Sequence, residues 1–485
     1  MTDAFLKSSS RWFWVYALIL FAILTRLFSL GLYPLMDTSE ARYGEIVRLM
    51  VETNDWIIPY FDYGVPFLGK PPLFIWLSAI SFKIFGINEF AARLPSLICS
   101  LGSLALIWKL ARFQMGQQQA KISVLVLITS AMFLVLAGAL LADPVMTLTI
   151  TLILSSFWIG WHSQNESEAL RWQYLFFAGC GLALLAKGLA ALVLAGGPIF
   201  IWSLPKGRLI LLWQRFPWIK GIALAAMIAF PWYISAELRN PGLLEYMFIG
   251  EHFSRYLDSG WQGDEYGNAH VHTLGAIWGY LLAGGFPWTL VLLGVVLVQL
   301  WKFWKKKPTV KLQEWDYYLL CWLLFLPLFF TFTTNLIWTY TLPVMPALAL
   351  IIARLFGENW SRYSARLIAL ATLTPLLMIV TTVVMMNDGG KKSQKYLIAS
   401  MMTHPTEQPG HLIYFMKRPF SARFYSHGQA LLANNEKEIT GQLHSDRRDF
   451  LATRDGNIDM LSEPLRNRFE KVSDYRNWTL WVEKE

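Results

Sequence analysis

The sequence predicts an all-α polytopic membrane protein, with about 11–13 transmembrane helices and a small C-terminal α/β domain. Three observations carry this. The 485 residues are 55% hydrophobic and only 15% charged, with mean hydropathy +0.39, where soluble domains run closer to a quarter charged. Apolar stretches long enough to cross a bilayer recur along the chain. After Met386 the composition turns polar, with near-balanced charge signs.

Spans are expected near 12–32, 94–112, 121–141, 145–161, 173–186, 188–204, 217–235, 273–299, 316–334, 339–354 and 366–386. The first run has no small-residue cleavage pattern and reads as an uncleaved anchor. Lys187-Gly188 splits the stretch 173–204 in two. Loops holding Arg112 and Lys121, Lys206 to Lys220, Lys302 to Lys311, and Arg354 to Arg366 alternate with loops poor in Lys and Arg. The positive-inside rule then puts the N-terminus and these basic loops on the cytoplasmic side. Segments 33–93, 141–144, 187, 236–272, 335–338 and the C-terminal tail fall outside.

Segment 33–93 is more than a loop. Asp37, Thr38 and Ser39 are good helix N-caps. Tyr43, Ile46, Val47 and Met50 then recur opposite Arg42, Glu45, Arg48 and Glu52, which predicts an amphipathic helix on the membrane surface. Leu73 to Phe85 is apolar nearly all round but short, and reads as a second interfacial helix with Pro71-Pro72 at its start. These divisions give a membrane domain over 1–387 and a soluble α/β domain over 388–485. In the latter, His411–Met416, Phe450–Thr453 and Trp478–Val482 read as strands.

Composition also excludes some classes. The net charge is +9, but the cations sit in short loops, where they set topology, so nucleic acid is not an expected partner. Cys99, Cys180 and Cys321 all lie in apolar runs and form no CxxC site. No G-x-x-x-x-G-K-[ST] loop supports ATP-driven transport. His270 and His272 form a single H-x-H pair, read as loop.

The polar residues at the ends of apolar runs converge on the outer side. Asp37, Glu40 and Arg42 form D-x-x-E-x-R at a helix start, where carboxylates can bind a cation, orient a hydroxyl or act as a base. The bland alternative is a cap and a solvated face. Lys70 precedes Pro71-Pro72 and is either a snorkelling lysine or an anion ligand. Asp143 sits in a very short turn as a cap or a catalytic acid. Lys187 has no acid near it in sequence, so it wants an anion, and a lipid-linked phosphate would serve. Glu251, His252 and Arg255 open the second large outer loop. His252 could ligate a metal, and Arg255 could fork onto phosphate. Tyr340 is an interfacial aromatic or a polar handle in a cavity.

In these residues the chain resembles a known family. Asp37-Thr38-Ser39-Glu40-Ala41-Arg42-Tyr43-Gly44-Glu45-Ile46, Asn54-Asp55-Trp56 and Lys70-Pro71-Pro72-Leu73 are similar to the first-loop signature of the bacterial aminoarabinose transferases. These are GT-C glycosyltransferases related to protein O-mannosyltransferases. Leu141-Ala142-Asp143-Pro144, Ala186-Lys187-Gly188-Leu189, Glu251-His252-Phe253-Ser254-Arg255-Tyr256 and Tyr340-Thr341-Leu342-Pro343 follow in the family's order.

The resemblance implies a monomeric inner-membrane enzyme whose active site and C-terminal domain are periplasmic. It implies inverting transfer of a sugar from a polyprenyl-phosphate donor to lipid A, at a phosphate or a sugar hydroxyl. By motif match, Asp37 is the catalytic carboxylate, with Glu40 and Asp143 beside it. Arg42, Tyr43, Lys70, Lys187, Arg255 and Tyr340 contact donor or acceptor, and His252 matches a metal-binding histidine. Two departures stand out. Gly69 occupies the place of a glutamate that would share a divalent metal with His252, which argues against that metal here. Leu336 stands where aminoarabinose transferases commonly carry a lysine, so sugar and acceptor stay open. Two rival readings remain: transfer to protein Ser/Thr, and a non-catalytic flippase for lipid-linked sugars.

Overall fold

The computed structural model describes residues 2–254, 266, 271–305, 312–388, 392–405, 409–444 and 447–484. Among these, eight helices are long and apolar enough to cross a membrane: Arg11–Ser29, Glu89–Met115, Ala142–His162, Glu166–Lys187, Trp218–Arg239, Glu314–Phe332, Trp338–Gly357 and Trp360–Asn387. Ala276–Gly284 and Trp288–Trp304 add a ninth if the bent pair is one span. The molecule is a multi-span membrane protein.

Three expected spans take another form. The stretch expected at 121–141 breaks at Thr129-Ser130, leaving Gln117–Ile128 and Ala131–Leu136. Both hydroxyls bond back to carbonyls of the preceding turn, Thr129 to Leu125 and Ser130 to Val126, and the freed Ala131 amide donates to the Phe286 carbonyl at 2.9 Å. The stretch expected at 273–299 turns through 110° between Gly284 and Trp288, where Pro287 has no amide to continue the helix. The expected break at Lys187-Gly188 is present, with Gly188 at φ +67°. The helix after it, Leu189–Ser203, is too short to span by itself.

Helix α1 (Thr2–Ser29) gives way to α2 (Ser39–Thr53). A hairpin of β1 (Tyr60–Asp62) and β2 (Val65–Pro66) follows, then α3 (Leu73–Phe85). Pro72 stands just before α3, as expected. Helix α2 is not the half-exposed surface helix that its periodicity suggests. Glu45 and Arg48, on its polar side, are buried at 1% and 2% exposure and pair with each other at 2.7 Å. The reason is a cover from the far end of the chain: helix Phe420–Tyr425 packs on α2, with the Phe424 ring 3.3 Å from where a Cβ on Gly44 would sit.

The C-terminal strands form a five-stranded sheet in the order β4-β3-β5-β7-β6. They are β3 (Pro409–Phe415), β4 (Ala430–Ala433), β5 (Arg448–Arg454), β6 (Phe469–Tyr475) and β7 (Trp478–Glu483). β3 pairs parallel with β4 and β5, while β7 runs antiparallel to β5 and β6. The three strands expected from sequence are β3, β5 and β7. β4 is only four residues long, and β6 alternates poorly because it is an exposed edge.

Candidate active site

An apolar-walled cavity of about 530 Å³ opens where several helix ends meet. Met146, Leu192, Val193 and Phe329 contribute its greasy wall, and Lys70, Lys187, Glu251 and Tyr340 its polar lining. Four of the sequence-singled segments therefore meet here, although they lie far apart in the chain.

Lys187 ends the helix Glu166–Lys187, and Asp143 lies in the first turn of the helix Ala142–His162. Their side chains pair at 3.0 Å, both largely buried. The anion that Lys187 lacks in sequence is thus Asp143, and Asp143 is not a cap: the N-cap is Leu141. Thr339 also hydrogen-bonds the Asp143 carboxylate. Lys187 lies 5.1 Å from the centre of the Tyr340 ring, a cation–π distance.

Tyr43 joins the cations of segment 33–93. Lys70 donates to its hydroxyl, and Arg42 stands over its ring at 5.0 Å. Burial alone would raise the Tyr43 phenol, but Lys70 and Arg42, with Lys187 behind them, outweigh it and hold the phenol at about 8. One Arg42 amine donates to the Tyr266 carbonyl, while its buried Nε has no partner among the described residues.

The two first-segment acids are not among the residues that line the cavity. Glu40 forms a buried pair with Arg93 at 2.7 Å and accepts the Leu140 amide at 3.1 Å. Burial favours its neutral form, yet the Arg93 guanidinium keeps the carboxyl below its ordinary value. Arg93 also donates to the carbonyls of Leu30, Tyr33 and Pro34, so Glu40 is a structural joint as well as a motif residue. Asp37 accepts the Ser421 amide at 3.0 Å and the Ser421 hydroxyl. Burial raises its carboxyl above the usual range, against the pull of those bonds and of Lys417. The capping role open to Asp37 in sequence is not used: Thr38 is the N-cap of α2, and no side chain caps it.

His252 and Arg255 lie outside what is described: the His252 backbone is helical, but its side chain and all of Arg255 are not placed. Gly69 is hemmed in by rings, since a Cβ there would lie 3.2 Å from Phe67 and 3.3 Å from Tyr266. A glutamate in its place would need those rings to move. Position 69 therefore offers no carboxylate to share a metal with His252. Leu336 is fully buried.

Sequence reasoning missed Arg93, Ser421 and Thr339. Arg93 had a signal, an arginine at the mouth of an apolar run that demands a partner. Ser421 and Thr339 had none, because a lone hydroxyl carries no spacing pattern.

Residues 69–234 match the dolichyl-phosphate-mannose-protein mannosyltransferase family. The undecaprenyl phosphate-alpha-4-amino-4-deoxy-L-arabinose arabinosyl transferase 2 of Proteus mirabilis is 32% identical over 354 residues, which cover 71% of this chain. The corresponding transferase of Erwinia tasmaniensis is 30% identical over 347 residues, 70% of this chain. The chain is similar to aminoarabinose transferases over about 70% of its length. Its fold is GT-C: the crystal structure of ArnT from Cupriavidus metallidurans bound to undecaprenyl phosphate superposes with a TM-score of 0.76, covering 97% of this chain and 98% of that one at 17% identity. The chain spans 59% of the length of the two curated relatives.

Proposed function

We propose that this protein is an inverting glycosyltransferase that moves a sugar from a polyprenyl-phosphate donor to lipid A. The observation that carries the reading is the joining of an apolar-walled cavity to a cluster of cations, Lys70 and Lys187 in its lining and Arg42 beside them on Tyr43. An amphiphile with a phosphate at the end of a long hydrocarbon matches that pairing. The relatives' names and the neighbouring crystal structure support it, since those proteins are arabinosyl transferases using undecaprenyl phosphate or are bound to it. The enzyme would sit in the bacterial inner membrane with the cavity facing the periplasm, on the opposite side from the basic loops.

In this reading the polyprenyl tail lies along the apolar wall and the phosphate meets Lys70 and Lys187. Positive charge placed where the phosphate departs lowers the barrier to its loss. Asp143 and Thr339 hold Lys187 in place. The acceptor attacks the anomeric carbon from the opposite face as the bond to phosphate breaks, and configuration inverts. Asp37 orients the acceptor, and takes its proton when it is a hydroxyl. To do so it exchanges the Ser421 hydroxyl for that of the acceptor. A phosphate acceptor needs no strong base, and Asp37 then positions it.

The test is purified protein with polyprenyl-phosphate aminoarabinose and lipid A, followed by mass spectrometry. Gain of one sugar on lipid A is expected, lost in Asp37→Asn although the variant remains folded. Near-wild-type turnover by that variant removes Asp37 from the mechanism. Sugar appearing on protein, or crossing the bilayer with the donor bond intact, removes the lipid A assignment.

A further inference from the structure

The C-terminal sheet carries a histidine pair that the transfer reaction does not use. His411 lies on β3, and His444 lies just before β5, on which Asp449 stands. The parallel pairing of these two strands, with Pro409 opposite Arg448, brings the three residues together. Their potential ligand atoms all lie within 4.8 Å of one another, and the two imidazole centres are 3.9 Å apart.

The hydrogen bonds fix which ring nitrogens are available. His411 Nδ1 is 2.9 Å from the Gln442 carbonyl oxygen. A carbonyl only accepts, so Nδ1 carries the hydrogen and the neutral ring keeps its lone pair on Nε2. His444 Nδ1 is 2.8 Å from an Asp449 carboxylate oxygen, and the same logic leaves its Nε2 free to ligate. Asp449 is fully buried and also accepts the backbone amides of His411 and His444, each at 2.5 Å. Gly410 makes the room: a Cβ there would lie 2.0 Å from the Asp449 oxygen. Both rings are partly exposed, so an ion could enter from solvent and keep water ligands.

This is the arrangement of metal-binding histidines, in which the second ring nitrogen donates to a carboxylate or backbone carbonyl. We propose that His411 and His444 bind a divalent first-row transition ion such as Zn²⁺ through Nε2, with Asp449 and the Gln442 carbonyl as orienting partners. Imidazole suits zinc, nickel and copper rather than calcium or magnesium. The ion would staple the start of β3 to the residues leading into β5. None of its residues lines the cavity, and it does not rest on the glycosyltransferase reading.

The experiment uses untagged full-length protein in detergent, dialysed against Zn²⁺ alone, with bound metal counted by mass spectrometry. Wild type should hold one more Zn²⁺ than His411→Gln or His444→Gln. That difference should persist in a His252→Ala background, which separates this site from any ion at His252. Asp449→Asn should weaken the same site by roughly 10- to 100-fold. Should a variant fail to fold, a wild-type measurement decides: Zn²⁺ should protect His411 and His444 from diethyl pyrocarbonate, scored by peptide mass. Equal Zn²⁺ content in wild type and both Gln variants, or unprotected histidines, overturns the proposal.

Discussion

At the scale of single residues, the cavity depends on charges that neutralise one another out of water. Lys187 and Asp143 are each largely buried and 3.0 Å apart. Removing one partner of such a pair typically costs about 3–5 kcal/mol, because the other charge is left uncompensated. Lys187→Ala and Asp143→Ala should each lower the thermal midpoint in detergent and abolish sugar transfer. The double variant should recover much of the stability but none of the activity, which separates the structural part of the pair from the functional part. Tyr43 yields a titration. Its phenol ionises at about 8 in the fold, against about 10 for an ordinary tyrosine. Between these values the folded protein has released a proton that the unfolded chain keeps. The contribution to stability is therefore absent below about pH 8, grows as pH rises, and is complete above about pH 10. One tyrosinate absorbance step near pH 8 is expected, and Tyr43→Phe should erase it.

At the scale of elements, two joints set where the site residues stand. Arg93 ties the carbonyls following α1 to Glu40 of α2 and is wholly buried. Arg93→Lys keeps the charge but loses the planar fork that reaches several acceptors. The variant should unfold at a clearly lower temperature than wild type, with transfer falling because Glu40 and Arg42 share one helix. The second joint is between Leu189–Ser203 and Glu314–Phe329, where a Cβ on Gly197 would lie 2.0 Å from the Phe325 ring. Gly197→Leu should force these helices apart and disturb the wall that Leu192 and Val193 give the cavity. A fall in yield and melting temperature, larger than for the uncrowded Gly196→Leu, is the expected measurement.

At the scale of the whole molecule, the C-terminal part is tied to segment 33–93 at several points. Ser421 holds Asp37, Arg418 and Arg423 pair with Asp62 at 2.5 and 3.2 Å, and Lys395 pairs with Glu89 at 2.5 Å. The C-terminal part thus controls the surroundings of Asp37, the residue proposed to act on the acceptor. Burial already raises the Asp37 carboxyl, and the Ser421 bonds oppose that rise. Ser421→Ala removes the hydroxyl donor, so the Asp37 carboxyl should rise further and the acid limb of the transfer profile should move to higher pH. Because its folded value is raised, the Asp37 contribution to stability is present at low pH and fades as pH climbs through that value. An unmoved acid limb in Ser421→Ala would show that the profile reports another group.

The sequence alone determined the helical membrane class, the break at Lys187-Gly188, the helix Leu73–Phe85, and three of the five strands among the described C-terminal residues; it also singled out Lys70, Lys187, Glu251 and Tyr340, which line one cavity. These follow from local properties: apolar run length, glycine and proline at breaks, and the cost of a charge beside a span. Only the tertiary structure decided the partners. It gave Lys187 to Asp143, Glu40 to Arg93 and Asp37 to Ser421, pairs separated by tens to hundreds of residues. It also buried the polar side of α2, whose amphipathic pattern reads as a surface helix until a distant segment covers it. Periodicity reports that a face is polar, but not whether water or another part of the chain will meet that polarity. Long-range pairing carries no spacing that one sequence can display, because folding, not proximity along the chain, brings such charges within bonding distance.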